Sequence, residues 1–292
     1  MFGKNEIVGQ KYFDNAEDKL YVTSIFFTLQ GEGPYRGEPA VFVRLAKCNL
    51  ACSFCDTYFD SGDWLTIEEI DARIHSAILD QFDEDIPLWA EEIYKGTDTV
   101  PVKKRKMVLV VTGGEPMLQK NLVPFLQYMN QRFEHTQIES NGTVWQEIPD
   151  ETTLVCSPKC NEKKGKPTQY LKPNTQVLDR ADCLKFVMSA DQDSPYSSIP
   201  DWAHDYAQTG KKIFISPMNV YNSEPAKSKE LRSVKNDISL EERSNVDEKI
   251  SFWEPGLLNM IDNQRNHEYT ARYCMQYGFT YNLQIHLYAS LA

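Results

Sequence analysis

The chain predicts an α/β fold built on a mostly parallel sheet, and three observations carry that reading. Short apolar runs recur along its 292 residues. Helical patterns fall between several of them. The clearest run, Met107-Val-Leu-Val-Val-Thr112, is continuously apolar, as expected of a parallel strand covered on both faces. Strands alternating with helices imply a parallel sheet, either open or curled into a partial barrel.

In chain order, the apolar runs place strands at Val22–Leu29, Ala40–Ala46, Met107–Thr112, Thr136–Ser140, Thr153–Ser157, Cys183–Met188, Lys212–Ser216 and Phe279–His286. Helices are expected over Thr66–Leu79, opened by the Thr-x-x-Glu capping box of Thr66 and Glu69, over Leu118–Phe133, and near Gly256–Tyr277. Two stretches break this rhythm, roughly 80–106 and 220–254. The first is acidic and then basic, and the second is dense in Ser, Asn, Glu and Lys. Strand signals resume after each, so both read as insertions in a single domain spanning 1–292 rather than as linkers.

Composition narrows the function. Hydrophobic content of 41% and aromatic content of 12% allow a sizeable core. Net charge is 31 minus 42, or −11, which argues against nucleic acid as a partner. The one dense basic cluster, Lys103-Lys104-Arg105-Lys106, reads as a solvated loop before a strand. The first twenty residues are rich in charge and no stretch approaches a membrane span, so neither secretion nor a membrane is expected. Seven cysteines, an odd count, suggest no disulfide framework and a reducing, cytoplasmic compartment.

Three of those cysteines share one short loop, Cys48-Asn-Leu-Ala-Cys52-Ser-Phe-Cys55. A structural zinc wants four closed ligands, usually in two pairs, and no second C-x2-C pair follows. A four-iron cluster held by three cysteines keeps one iron open for chemistry. A zinc knuckle or three unrelated core thiols are the plainer alternatives. Strand Met107–Thr112 then runs into Gly113-Gly114-Glu115-Pro116, where glycines allow close approach of a ligand to the backbone at the strand's carboxyl end. Taken alone, that segment is equally an ordinary strand-to-helix turn.

Together the two motifs resemble the radical S-adenosylmethionine (SAM) superfamily. Further segments narrow the resemblance: Thr28-Leu-Gln-Gly31-Glu-Gly33, Gly37 to Arg44, Cys55-Asp56-Thr57, Glu139-Ser-Asn-Gly142, Ser157-Pro-Lys159, Lys185-Phe-Val187, Ser216-Pro-Met-Asn219 and Gln284-Ile-His286. They resemble the 7-carboxy-7-deazaguanine synthase family of queuosine and 7-deazapurine biosynthesis. That resemblance implies a partial (β/α)6-type radical SAM barrel and a carbon–nitrogen lyase converting 6-carboxy-5,6,7,8-tetrahydropterin to 7-carboxy-7-deazaguanine with loss of ammonia. It also implies one 4Fe–4S cluster per subunit, S-adenosyl-L-methionine and Mg2+ as cofactors, a flavodoxin-like electron donor and a homodimer.

Residue by residue, the resemblance gives Cys48, Cys52 and Cys55 to the cluster and Thr57 to magnesium, although a lone threonine also suits a helix cap. Leu29, Gln30, Gly31, Arg44, Thr112 and the terminal carboxylate of Ala292 go to the pterin. A side-chain amide plus free backbone groups suits a pterin edge, and the Arg44 fork suits a carboxylate, with a surface ion pair as the plainer alternative. Phe54, Gly114, Glu139, Ser157, Pro158, Lys159, Ser216, Pro217, Met218 and Asn219 go to SAM. His286 and Gln284 are expected on the last strand at the rim of the site. Cys156, Cys160, Cys183 and Cys274 lack tight ligand spacing and read as buried thiols. A glycyl-radical activase and a non-catalytic iron–sulfur regulator remain as rival functions at this point.

Overall fold

The computed structural model describes residues 18–82, 103–222, 252–253, 256–289 and 291. Most of both inserted stretches, and Ala292, lie outside the described residues. One nine-stranded sheet runs in the order β11-β10-β9-β6-β5-β4-β2-β1-β3. Its central six are β2 (Pro39–Leu45), β4 (Arg105–Gly113), β5 (Phe133–Ser140), β6 (Thr152–Cys156), β9 (Cys183–Met188) and β10 (Lys212–Pro217). Each pairs with its neighbour in parallel. The short β11 (Thr280–Tyr281) extends this set in parallel, while β1 (Lys19–Leu29) and β3 (Asp63–Thr66) continue it antiparallel at the other edge. The sheet is open at β3 and β11, the α/β architecture expected from the alternation of runs.

Helices cover the sheet because their apolar faces need burial. In α1 (Ile67–Leu79), Ile70, Ile74 and Ile78 recur on one face and enter the core. The capping box is present: Glu69 N–H donates to Thr66 Oγ1 at 3.2 Å, and Thr66 N–H donates to Glu69 at 2.7 Å. In α2 (Leu122–Asn130), Leu122, Phe125, Leu126 and Met129 do the same. Two short helices missing from the expectation, α3 (Thr175–Arg180) and α4 (Asp201–Gln208), precede β9 and β10. The long α5 (Met260–Tyr277) starts at the Asn259 cap and ends where Gly278 takes a left-handed φ of 73°. Among the described residues no helix is long and apolar enough to cross a membrane.

Four expectations need correction. The helix expected over Leu118–Phe133 is a 3-10 turn at Pro116–Leu118, capped by the Glu115 side chain, and then α2, which starts after Asn121 without a side-chain cap. The strand expected over Phe279–His286 leaves the sheet after Tyr281. Asn282 turns its side chain inward to Ser216 and Glu32, and Ile285–Tyr288 forms the short α6. A two-stranded hairpin, β7 (Cys160–Lys163) with β8 (Lys166–Tyr170), stands outside the main sheet and was not expected. The basic run is only partly solvated: Lys103 and Lys104 are exposed, but Arg105 opens β4 and is 0% exposed. It donates to Asp71 of α1 at 2.8 Å, and Arg132 donates to the same carboxylate at 3.1 Å.

Candidate active site

The carboxyl ends of the parallel strands surround a cavity of about 220 Å3, where open-sheet and barrel enzymes place their chemistry. Of the expected residues, Gln30, Arg44, Cys48, Cys52, Phe54, Cys55, Thr57, Thr112, Gly114, Glu139, Ser157, Lys159, Ser216, Pro217 and Asn219 line it. Leu29, Gly31, Pro158 and Met218 belong to the same turns without lining the cavity. Ala292 lies outside the described residues. His286 and Gln284 do reach the cavity, from α6 and its cap rather than from a strand.

The cysteine loop follows β2 directly. Lys47, at φ 77°, redirects the chain, and Cys48, Cys52 and Cys55 all border the cavity. Leu50 N–H lies 3.5 Å from Cys48 Sγ, and Cys55 N–H donates to Cys52 O at 3.1 Å, closing the second turn of the loop. None of the three is in a disulfide. Burial pushes each thiol up to about 12, so the bare loop is neutral and metal uptake must release protons. Among the described residues, no three His, Cys, Asp or Glu side chains converge tightly enough to hold a single metal ion. Three thiols bordering one cavity suit a cluster that offers each a different iron.

The glycines beside the loop serve a purpose that the motif did not reveal. A Cβ on Gly113 would strike the Leu45 backbone, and one on Gly114 would strike the Lys47 carbonyl. Gly113 also adopts φ 130°. In place of such contacts, Gly114 N–H donates to Leu45 O at 2.9 Å and Glu115 N–H to Lys47 O at 2.8 Å. These glycines therefore let the end of β4 close against the root of the cysteine loop, and they face the cavity as well. Glu115 is wholly buried and accepts from Asn141 N, Met117 N and Ser140 Oγ at 2.6–3.0 Å. Burial pushes its carboxyl up to about 7, against those three hydrogen bonds.

One part of the cavity wall is charged. Lys185 Nζ donates to Glu139 at 2.6 Å and to Glu32 at 2.8 Å. Ser216 Oγ donates to Glu32 at 2.7 Å. Burial alone would lower the Lys185 pKa, but Glu139 and Glu32 overcome it and raise it. Burial likewise opposes the Glu32 carboxylate, yet Lys185 and Ser216 hold its pKa below the ordinary value. Burial pushes the His286 pKa down and Arg44 and Lys185 add to that, against the pull of the Glu32 and Asp56 carboxylates. Its ring packs where a Cβ on Gly31 would stand, so Gly31 makes room for it.

Gln30 departs from expectation in one respect. Its backbone is not free: its N–H donates to Glu38 O and its C=O accepts from Gly37 N, both at 2.8 Å. The side chain is 1% exposed, accepts from Glu32 N through Oε1, and turns an Nε2 with no partner among the described residues toward the cavity. The Arg44 guanidinium lies 5.0 Å above the Phe26 ring, and both side chains line the cavity. Thr57 caps no helix. It stands in an irregular segment, its hydroxyl 3.2 Å from Asp56, and both side chains line the cavity.

Sequence reasoning passed over Glu32, Asp56, Lys185, Tyr221 and the aromatics Phe26, Phe42 and Phe59 as cavity residues. Glu32 and Lys185 sat inside quoted motifs, and a charged residue interrupting an apolar strand was the available signal for Lys185, as it was for Arg44.

Comparison with known proteins agrees with this geometry. Residues 43–152 match the Radical SAM superfamily. A 7-carboxy-7-deazaguanine synthase from Rhodospirillum rubrum is 34% identical, over 75% of this chain and 79% of its own. Another from Rickettsia prowazekii is 34% identical, over 69% of this chain and 74% of its own. The crystal structure of QueE from Escherichia coli aligns over 75% of this chain and 92% of that chain at 21% identity, with a TM-score of 0.48. The 34% identity to the Rhodospirillum rubrum and Rickettsia prowazekii synthases over most of their length, together with the cysteine loop and the glycine-packed strand end, establishes that the chain belongs to the 7-carboxy-7-deazaguanine synthase family of radical SAM enzymes.

Proposed function

We propose that this protein converts 6-carboxy-5,6,7,8-tetrahydropterin to 7-carboxy-7-deazaguanine with release of ammonia, and that the cavity at the strand ends is where it does so. The observation that carries this reading is the convergence of Arg44, Gln30 and Thr112 on the cavity that the three cysteines border. A small bicyclic acid needs a fork for its carboxylate and amide-like partners for its ring edge. The cavity offers both.

Cys48, Cys52 and Cys55 would hold a 4Fe–4S cluster, whose chemistry when bound is one-electron reduction of SAM. The chain's own residues then orient and exclude. Gly114, Glu139, Ser157 to Lys159, and Ser216 to Asn219 receive SAM, with Phe54 at the loop. Phe26, Phe42 and Phe59 form apolar wall that limits water around the reacting centre. Arg44 grips the substrate carboxylate in two bonds, while the Gln30 Nε2–H awaits an acceptor on the ring. Lys185, Glu32 and Glu139 hold a fixed arrangement of charge beside them, preorganised before substrate arrives.

Thr57, with Asp56 beside it, offers hard oxygen to Mg2+, which ordinarily completes its shell with waters and substrate oxygens. The reading extends, on the resemblance alone, to a single-domain chain that forms a cytoplasmic homodimer reduced by a flavodoxin-like donor. Neither rival function draws support from the cavity: an activase has no need of Arg44 and Gln30 placed for a pterin, and a regulator no need of a substrate pocket.

Anaerobic incubation of the reconstituted protein with reductant, SAM and the carboxypterin tests the proposal. The expected result is 7-carboxy-7-deazaguanine in the presence of all three. Deoxyadenosine release that depends on a protein substrate, with no deazaguanine formed, would return the activase reading.

A further inference from the structure

The cysteine loop is clamped from two sides, and only one clamp lies in a motif read from the sequence. On that side, Asn49 Nδ2 donates to Thr143 Oγ1 at 2.7 Å, and Asn141 Nδ2 donates to Asn49 Oδ1 at 3.0 Å. The other clamp comes from the β7–β8 hairpin. Glu162 Oε1 accepts from Ser53 N at 2.7 Å and from Ser53 Oγ at 3.1 Å. Ser53 lies inside the Cys52–Cys55 turn, so these two bonds anchor the backbone between two of the cysteines. The hairpin register shifts between Asn161 and Glu162, the kind of irregularity that re-aims a side chain.

The hairpin is itself braced. Tyr196 accepts from Cys160 N at 2.8 Å and presents its ring edgewise to Phe54 at 4.9 Å and to Tyr170 at 5.4 Å. One side of the cysteine loop is therefore seated on a small polar hairpin outside the main sheet.

We propose that Glu162 is a positioning residue for the iron–sulfur cluster, holding the Cys52–Cys55 turn by its carboxylate and lowering the cluster's reduction potential by its charge. This rests on the reading that the three cysteines hold a cluster. A fixed turn keeps two thiols ready without ordering cost, so iron should leave more slowly. A nearby anion disfavours the extra electron, and local net charge is one of the determinants of cluster potential. The amide of Glu162→Gln keeps an acceptor oxygen and removes the charge, which separates the two effects.

The test is anaerobic reconstitution of the full chain as wild type, Glu162→Ala and Glu162→Gln. Iron content, the rate of bleaching by a chelator, the midpoint potential and apo-protein melting are read for each. Glu162→Ala is expected to lose iron about tenfold faster than wild type, the equivalent of one charge-assisted hydrogen bond. Glu162→Gln is expected to hold iron near the wild-type rate with a more positive potential. Wild-type bleaching and potential in Glu162→Ala would overturn the proposal. If Glu162→Ala fails to melt cooperatively, the potential of Glu162→Gln decides: a positive shift supports the proposal and an unchanged value overturns it. A wild-type protein that takes up no cluster would instead defeat the cluster reading, and this proposal with it.

Discussion

Two buried ion clusters sit at opposite ends of the same sheet, and they do opposite work. At the amino end, Asp71 of α1 joins Arg105, the first residue of β4, to Arg132 after α2. Arg105 is 0% exposed, its guanidinium lies 4.9 Å over Phe133, and Tyr128 donates to the second Asp71 oxygen at 3.3 Å. That cluster is sealed between helices and sheet. At the carboxyl end, Lys185 joins Glu32 and Glu139 on the wall of the cavity. Each cluster has three charges, and each holds its unlike charge between two others. The difference is what lies beside them: apolar packing at one end, open volume at the other. The sealed cluster stabilises the fold, and the open one is available to a ligand.

Substitution should separate the two ends. The largest effect is expected from changing Cys48, Cys52 or Cys55 to Ala. SAM cleavage should vanish while melting changes little, whereas Cys156→Ala or Cys274→Ala should retain cleavage because those thiols are buried and do not line the cavity. Iron counts and deoxyadenosine yield check this, and eight irons per chain in the wild type would contradict a single cluster.

Lys185→Met should lower product formation by on the order of 10²-fold through lost preorganisation. It should also invert a pH dependence. In the wild type, Lys185 and Ser216 overcome burial and keep the Glu32 pKa below its unfolded value of 4.5. That stabilisation is complete above 4.5 and is lost as pH falls through the folded value. Without Lys185, burial dominates and raises the folded pKa, so stability should fall as pH rises above about 4.5. Melting temperatures from pH ~4 to ~7 would show the change of sign.

Asp71→Ala addresses the sealed end. It leaves two guanidiniums without their carboxylate and should cost about 3–5 kcal/mol of stability. Activity per folded molecule should hold, because no member of that cluster lines the cavity. Loss of turnover without loss of stability would erase the contrast between the ends. Thr57→Ala should have the smallest effect, a reduced stimulation by magnesium with the cluster's absorbance intact. Full stimulation in that variant would remove Thr57 from the metal.

Much of the fold was legible where its cause was local. The capping box at Thr66 and Glu69 marked the start of α1, and the unbroken apolar run marked β4. The β7–β8 hairpin was not legible, because its strands are mostly exposed and show no apolar run. The final segment misled for a physical reason. Phe279-Thr-Tyr-Asn-Leu-Gln-Ile-His286 alternates like a strand, but Asn282 is recruited into the Ser216–Glu32 network and turns the chain. Arg105 was hidden in a basic run whose neighbours are solvated, since burial depends on Asp71, 34 residues away. In the site, the motifs marked the loop and the strand ends. The side chains that tie those pieces together, Glu32, Lys185 and Glu162, reach partners 46 or more residues away, and no local pattern announces such partners.

The most direct test of the open end as the pterin site is the ratio of 7-carboxy-7-deazaguanine to deoxyadenosine formed by Arg44→Lys. Lysine keeps the charge and loses the planar fork. The account predicts that slow, uncoupled SAM cleavage continues while the ratio falls on the order of 10²-fold. A ratio equal to that of the wild type would contradict it.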